Sequence, residues 1–165
     1  MTPRILVLGG SRSGKSRFAE LLLADAEEVD YVATAAVLPD DPEWTARIAA
    51  HRARRPARWH TVETADVAAV LRRRGPAVLV DSVTLWLAAA LDGADLEARV
   101  DTLCAAWAES GRRVVAVSDE VGSGVVPESP AGRRFRDALG LLNQRLAATA
   151  DEVHLVVAGL PLRLR

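Results

Sequence analysis

A three-layer α/β domain on a mostly parallel sheet is what the sequence predicts, and three observations predict it. Short β-branched runs alternate with stretches of helical periodicity along the whole chain. Three of the runs, Ile5-Leu6-Val7-Leu8, Val78-Leu79-Val80 and Val114-Val115-Ala116-Val117, are apolar without interruption, as strands covered on both faces must be. Between the first strand and the first helix lies Gly9-Gly10-Ser11-Arg12-Ser13-Gly14-Lys15-Ser16, a complete G-x-x-x-x-G-K-S phosphate-binding loop in the strand-loop-helix context it requires.

The elements follow in order. Arg4 to Leu8 reads as a strand, and Ser16 to Ala26 as a helix with Phe18, Leu21, Leu22 and Asp25 spaced by three and four. Val29 to Thr34 is the next strand, followed by a helix over Asp41 to Arg54 that Pro56 ends. Trp59 to Val62 reads as a strand. The helix from Thr64 to Arg74 closes on Arg72-Arg73-Arg74, where cations complement the negative end of the dipole. Ala77 to Asp81 is a strand, Ser82 to Leu91 and Leu96 to Glu109 are helices, and Arg113 to Ser118 is a strand. A helix over Ala131 to Thr149 and a strand over Val153 to Ala158 complete the pattern. Neither an internal repeat nor a long linker interrupts it, so residues 1–165 are expected to form one domain with ligands gathered at the carboxyl ends of its strands.

Composition narrows the function classes. With 50% apolar and 26% charged residues the chain is an ordinary globular protein. A formal net charge of -1 supplies no global field for nucleic acid or an anionic membrane, so nucleic acid is excluded as the main partner and any anion site must be built locally. Cys104 is the sole cysteine, which rules out an intrachain disulfide and reads as a small buried side chain. Ile5 to Leu8 is shorter than the roughly 7 to 15 residues of a signal-peptide core. Ala77 to Leu91, broken by Asp81, Ser82 and Thr84, is shorter than the roughly 20 residues a membrane span needs. A soluble, untargeted protein in a reducing cytoplasm is expected.

Lys15 is the only lysine in the chain, and every other permanent side-chain cation is an arginine. A compact ammonium suits the space between β- and γ-phosphates, where a planar guanidinium does not fit. Backbone N–H groups from Gly9 to Gly14 would form a nest around phosphate oxygens, with the positive end of the following helix behind them. The implied ligand is a nucleoside triphosphate with magnesium. Ser16 offers the metal a hydroxyl, and Asp81, at the end of an apolar strand, a carboxylate; capping the next helix is the alternative role for Asp81. Asp119 and Glu120 close the neighbouring strand and compete for the metal or for a base role. The Asn-Lys-x-Asp sequence of switch GTPases is missing, which disfavours that family.

On a helix over Asp41 to Arg54, Trp44, Arg47, Ile48, His51, Arg54 and Arg55 recur on one face. Such a face suits an imidazole among phosphate-neutralising groups, although a histidine among arginines is by itself more often solvated surface. His60 and His154 alternate within strands and read as structural. The four tryptophans, Trp44, Trp59, Trp86 and Trp107, read mainly as core.

Taken together these segments resemble the bifunctional adenosylcobinamide kinase and adenosylcobinamide-phosphate guanylyltransferase family of cobalamin biosynthesis. The resemblance runs nearly end to end: Gly9 to Arg17, Tyr31-Val32-Ala33-Thr34-Ala35, Arg47-Ile48 with His51, Arg55-Pro56, Trp59, Thr61 and Glu63, then Val80 to Leu87. It continues through Glu120-Val121-Gly122, Gly124 to Glu128, Phe135-Arg136-Asp137, Asn143-Gln144, Ala150 to Val153 and Gly159-Leu160-Pro161. The resemblance implies a RecA-like P-loop NTPase fold, a homotrimer, and His51 as the residue that becomes guanylylated. It assigns nucleotide contacts to Gly9, Gly10, Ser11, Arg12, Ser13, Gly14, Lys15 and Ser16, to Ala33, Thr34 and Ala35, to Arg52, Ala53, Arg54 and Arg55, to Glu63 and to Asp81. It further implies ATP or GTP and adenosylcobinamide as substrates, with magnesium. This chain departs from the family pattern at Asp119, where Asn is usual, and within Ala88-Ala89-Ala90, where an Asn is often found. Two plainer readings stand beside it: a small-molecule kinase with His51 on the surface, and a nucleotide-binding regulatory subunit without turnover.

Overall fold

Alternation along each strand sends neighbouring side chains into two separate cores, and this fixes the architecture. The computed structural model describes residues 2–34, 42–53 and 55–165; the side chains of Pro42, Glu43, Trp44, Arg47, Ala50 and His51 also lie outside the description. In β1 (Arg4–Gly9), Leu6 enters one core while Ile5 and Val7 enter the other. The same division holds in β2 (Val29–Ala33), β4 (Ala77–Asp81) and β5 (Val114–Asp119): Val32, Val78, Val80, Val114 and Ala116 face one way, and Val29, Tyr31, Leu79, Val115 and Val117 the other.

The seven strands lie in the order β3-β2-β4-β5-β1-β6-β7, with β3 at Trp59–Glu63, β6 at Glu152–Val157 and β7 at Leu160–Arg163. All pairs are parallel except β6 with β7. The first core is covered by α3 (Val67–Arg72), α4 (Val83–Ala90), α5 (Leu96–Glu109) and α6 (Pro130–Thr149), and the second by α1 (Lys15–Leu21). The remaining helix, α2 (Pro42–Ala53), joins β2 to β3. The three-layer, mostly parallel arrangement is the one expected.

Several boundaries differ for identifiable reasons. α1 stops at Leu21, and Leu21 itself is 64% exposed. Ala19 and Leu23 are fully buried instead, because the small Ala19 lets the helix lie close on the sheet. α3 begins only at Val67, since Asp66 caps it by accepting the Ala69 N–H, while Thr64 Oγ1 accepts the Asp66 N–H in a local turn. Ser82 caps α4 through the Leu85 N–H, and Ser129 caps α6 through the Gly132 N–H, with Pro130 in the first turn. The antiparallel strand β7 is additional to the expected set. Val157 pairs with Leu160 across a two-residue connection, Ala158-Gly159, both at positive φ (52° and 80°), which suits a tight hairpin. As an edge strand it tolerates Pro161.

The amino end of the sheet is tied by a charged clamp. Asp151 receives the Arg4 backbone N–H at 2.8 Å and the guanidinium at 3.1 and 3.2 Å, and these bonds, the side-chain ones first, hold its carboxyl below the usual aspartate range. A carboxylate whose native pKa is depressed stabilises the fold above its unfolded pKa, about 3.9, and loses that contribution as pH falls through the lower native value. Asp151→Asn is therefore expected to lower the melting temperature at pH 7 and to differ little from the parent at about pH 2. Thermal unfolding followed by circular dichroism at both pH values checks this.

Candidate functional site

β1 delivers Gly9 to the carboxyl edge of the sheet, in register with Asp119 of β5 and Val156 of β6. The fit there is close: a Cβ on Gly9 would come within 2.8 Å of the Val156 carbonyl oxygen and would also strike the Ser13 side chain. The loop then turns through Arg12 at φ 55° and Gly14 at φ 93°, the left-handed geometry that aims successive N–H groups inward. Ser13 N–H donates to the Gly10 carbonyl at 3.3 Å, and Ser13 Oγ accepts the Lys15 N–H at 3.3 Å. From the hairpin before β7, Gly159 N–H donates to the Ser13 carbonyl at 2.7 Å, bracing the loop from outside. Gly10, Ser11 and Arg12 are exposed, and Ser16 is half-buried at the start of α1.

Lys15 is only 8% exposed. Its ammonium donates to the Gly10 carbonyl at 3.2 Å and pairs with Asp119 Oδ1 at 2.5 Å. Asp119 is anchored in turn: its N–H donates to Thr84 Oγ1 at 2.7 Å, its carbonyl accepts Asn143 Nδ2 at 3.1 Å, and the Glu120 N–H donates to the Gly9 carbonyl at 3.0 Å. The Asn143 amide is oriented by the Ser118 hydroxyl, 2.6 Å from Oδ1.

Asp81 ends β4, the strand beyond β5. Its carboxylate accepts a hydrogen bond from the buried Tyr31 hydroxyl. Burial first, and then the Asp81 charge, push the Tyr31 phenol far above the ordinary tyrosine range, so it remains a donor. The capping alternative for Asp81 does not apply, because Ser82 caps α4. Thr34 is pinned beside it, donating through Oγ1 to the Ser82 carbonyl at 2.6 Å and accepting the Ser82 N–H at 3.0 Å.

Ala33 sits in register between Glu63 of β3 and Asp81 of β4. Glu63 forms an ion pair with Arg52 of α2. Arg55 does not continue α2: the helix ends at Ala53, and the guanidinium instead lies 3.3 Å from the centroid of the Tyr31 ring while donating to Thr61 Oγ1 at 3.0 Å. Ala53 is exposed at the helix end. Ala35 and Arg54 lie outside the described residues, and His51 is placed by its backbone on α2 alone. The structure thus brings the loop, Asp119, Asp81, Thr34, Ala33 and Glu63 to one sheet edge, with β2 and β1 three strand spacings apart, roughly 14 Å.

Other candidates have structural roles. Trp59, Trp86 and Trp107 are buried, and the indoles of Trp86 and Trp107 donate to the Ala65 and Leu146 carbonyls. His154 is buried edge-on against Phe18 and lies 3.0 Å from Glu152, whereas His60 is exposed. Cys104 is half-buried in α5, and burial raises its thiol pKa. A cavity of about 400 Å³ lies beside the starts of α3 and α5, lined by Asp66, Trp86, Asp95, Arg99 and Thr102 among others. Sequence reasoning gave no role to Tyr31, Thr84, Asn143 or Gly159; a tyrosine inside an otherwise apolar strand, which must find a partner for its hydroxyl, was the available signal for the first.

Magnesium takes oxygen ligands and keeps waters and phosphates in its shell, held by one or two carboxylates rather than by a protein cage. The donor set fits: the Ser16 hydroxyl and the Asp81 and Asp119 carboxylates are hard oxygens, and no group of three or more His, Cys, Asp or Glu among the described residues forms a cage. Among the described residues no helix is long and apolar enough to cross a membrane.

The sequence matches the family described as cobinamide kinase / cobinamide phosphate guanyltransferase over residues 5–164. It is 41% identical over 187 residues to the bifunctional adenosylcobalamin biosynthesis protein CobU of Salmonella typhimurium, a match covering 98% of this chain and 99% of that protein. It is 44% identical over 170 residues to the bifunctional adenosylcobalamin biosynthesis protein CobP of Pseudomonas aeruginosa, covering 98% and 97% respectively. Among solved structures, an ATPase from the type III secretion system of pathogenic bacteria superposes with a TM-score of 0.59 at 15% identity over 94% of this chain. The chain spans about half of that structure, 52%, and the likeness is one of fold alone.

Proposed function

Since the chain belongs to the cobinamide kinase / cobinamide phosphate guanyltransferase family, we propose that residues 1–165 act as one bifunctional domain on adenosylcobinamide. In the first reaction the aminopropanol hydroxyl oxygen attacks the γ-phosphorus of ATP or GTP. The bond to the bridging oxygen breaks, the nucleoside diphosphate leaves with the electron pair, and the hydroxyl proton passes to water or to a carboxylate at the sheet edge. Lys15 and the loop N–H groups neutralise the charge that moves to the leaving oxygens.

In the second reaction a lone pair on the His51 imidazole attacks the α-phosphorus of GTP, and pyrophosphate leaves with the electrons of the broken P–O bond. GMP is then held by a P–N bond until an oxygen of adenosylcobinamide phosphate displaces the imidazole, which recovers its lone pair. Splitting one displacement into two is what a nucleophilic side chain contributes. Arg52, which pairs with Glu63, and Arg55, which lies over the Tyr31 ring, are the cations that would meet the phosphates in this reading. Magnesium, when bound with the nucleotide, withdraws charge from the phosphate oxygens; Ser16 and Asp81 are the residues that would hold it. Gly9 to Ser16, Ala33 to Ala35, Arg52 to Arg55, Glu63 and Asp81 make up the nucleotide site in this reading. A homotrimer and a cytoplasmic location, where nucleoside triphosphates are made, belong to the same proposal.

The observation that carries it is the loop itself, with a buried Lys15 ammonium folded back over the Gly10 carbonyl at the carboxyl end of β1. Turnover of adenosylcobinamide with GTP and magnesium, resolving the phosphate and GDP forms, is expected to yield both products in sequence. Phosphate alone, with no covalent GMP on the protein, would leave a kinase; tight GTP binding without turnover would leave a regulatory subunit. Light scattering on the purified protein tests the trimer.

A further inference from the structure

The structure places the Asp119 carboxylate directly on the lysine of the phosphate loop. Only 26% of the Asp119 side chain and 10% of the Lys15 side chain are exposed, so little water screens the pair. The strand end that carries the carboxylate is itself fixed. Thr84, Asn143 and, through Glu120, Gly9 hold the backbone on both sides of the Asp119 Cα, and the strand pairing sets it opposite Gly9.

A triphosphate tail that engages Lys15 therefore takes a cation already in use. Phosphate oxygens and the Asp119 carboxylate are then left facing one another across the same ammonium, with like charges in a partly buried space. A neutral Asn at this position would impose no such repulsion. A divalent cation travelling with the phosphates removes it, because Asp119 becomes an oxygen acceptor facing that cation. Asp81, which with Ser16 would hold that cation, stands on the next strand, β4, and accepts from the Tyr31 hydroxyl.

We propose that Asp119 is a specificity-determining residue that makes this phosphate loop select the magnesium-complexed nucleotide over the free anion. It rests on the reading of the loop as a nucleoside triphosphate site. The prediction concerns the coupling between two ligands, and coupling of this kind commonly amounts to about 5- to 150-fold in affinity.

The test is calorimetric titration of the full chain with a non-hydrolysable GTP analogue, in excess EDTA and in excess magnesium chloride, for the parent and for Asp119→Asn. Asn keeps the shape and removes the charge, and a thermal melt confirms folding; Asp119→Ala serves as a second variant. Removing magnesium is expected to weaken binding to the parent by about 30-fold or more. In Asp119→Asn, affinity for the magnesium-free analogue should rise about tenfold while affinity for the complex does not rise with it, so the ratio collapses. Unchanged or weaker magnesium-free binding by both variants overturns the proposal and leaves the nucleotide site standing. No binding of the analogue by any of the proteins in either medium overturns the nucleotide reading and this proposal with it.

Discussion

His51→Ala is expected to abolish covalent capture of GMP. Protein incubated with GTP labelled at the α-phosphate, then denatured and washed, should retain acid-labile label in the parent and background label in the variant, a loss of at least about 10³-fold. The substitution is mild for folding. His51 lies on α2, two residues before its end, and alanine is the better helix former by a few tenths of a kcal/mol. A lost adduct therefore reports the missing imidazole rather than a broken helix. Phosphoryl transfer to adenosylcobinamide, which needs the loop and not the imidazole, supplies the internal check. A normal adduct on the variant would remove His51 from the reaction.

Lys15→Ala should be damaging in a different way, depressing both reactions together. Removing one preorganised donor from developing phosphate charge typically costs about 10²- to 10³-fold in rate. Here the loss is compounded, because the variant leaves the Asp119 carboxylate facing the phosphates without its counter-charge. The double variant Lys15→Ala with Asp119→Ala should bind the triphosphate better than Lys15→Ala alone, a non-additivity expected of groups in contact. Steady-state kcat/KM for each step and equilibrium binding of a non-hydrolysable analogue measure the two effects separately. Lys15→Arg should not restore function, since a planar fork does not replace a point charge between two phosphates.

What could be read from the sequence was what local pattern encodes. The unbroken runs in β1, β4 and β5 announced strands buried on both faces, and the eight residues from Gly9 to Ser16 carried their own loop geometry. Relations set by strand order were not readable. That β5 rather than β4 lies beside β1 places Asp119 on Lys15 and Asp81 a strand away, and no residue spacing states it. Arg55 was assigned to the face of His51 by periodicity; the chain leaves the helix at Ala53, ahead of Pro56, and the guanidinium finds the Tyr31 ring. Leu21 was read into an apolar stripe with Phe18 and Leu22 on a helix drawn to Ala26; α1 ends at Leu21, and that side chain is exposed. β7 escaped notice because its residues are exposed and it contains Pro161, which leaves it without the signature of a covered strand.

The bond from Gly159 to the Ser13 carbonyl joins the loop after β1 to the hairpin between β6 and β7. During synthesis the motif at residues 9–16 leaves the ribosome before its outer support, which arrives only after strands β2 to β6 have been translated. Competence to hold a ligand is thus deferred: a nascent chain ending ahead of residue 159 would display the motif without the brace that shapes it. Nucleotide affinity, followed along a series of arrested nascent chains, should accordingly rise once residue 159 has emerged and not when the motif first does.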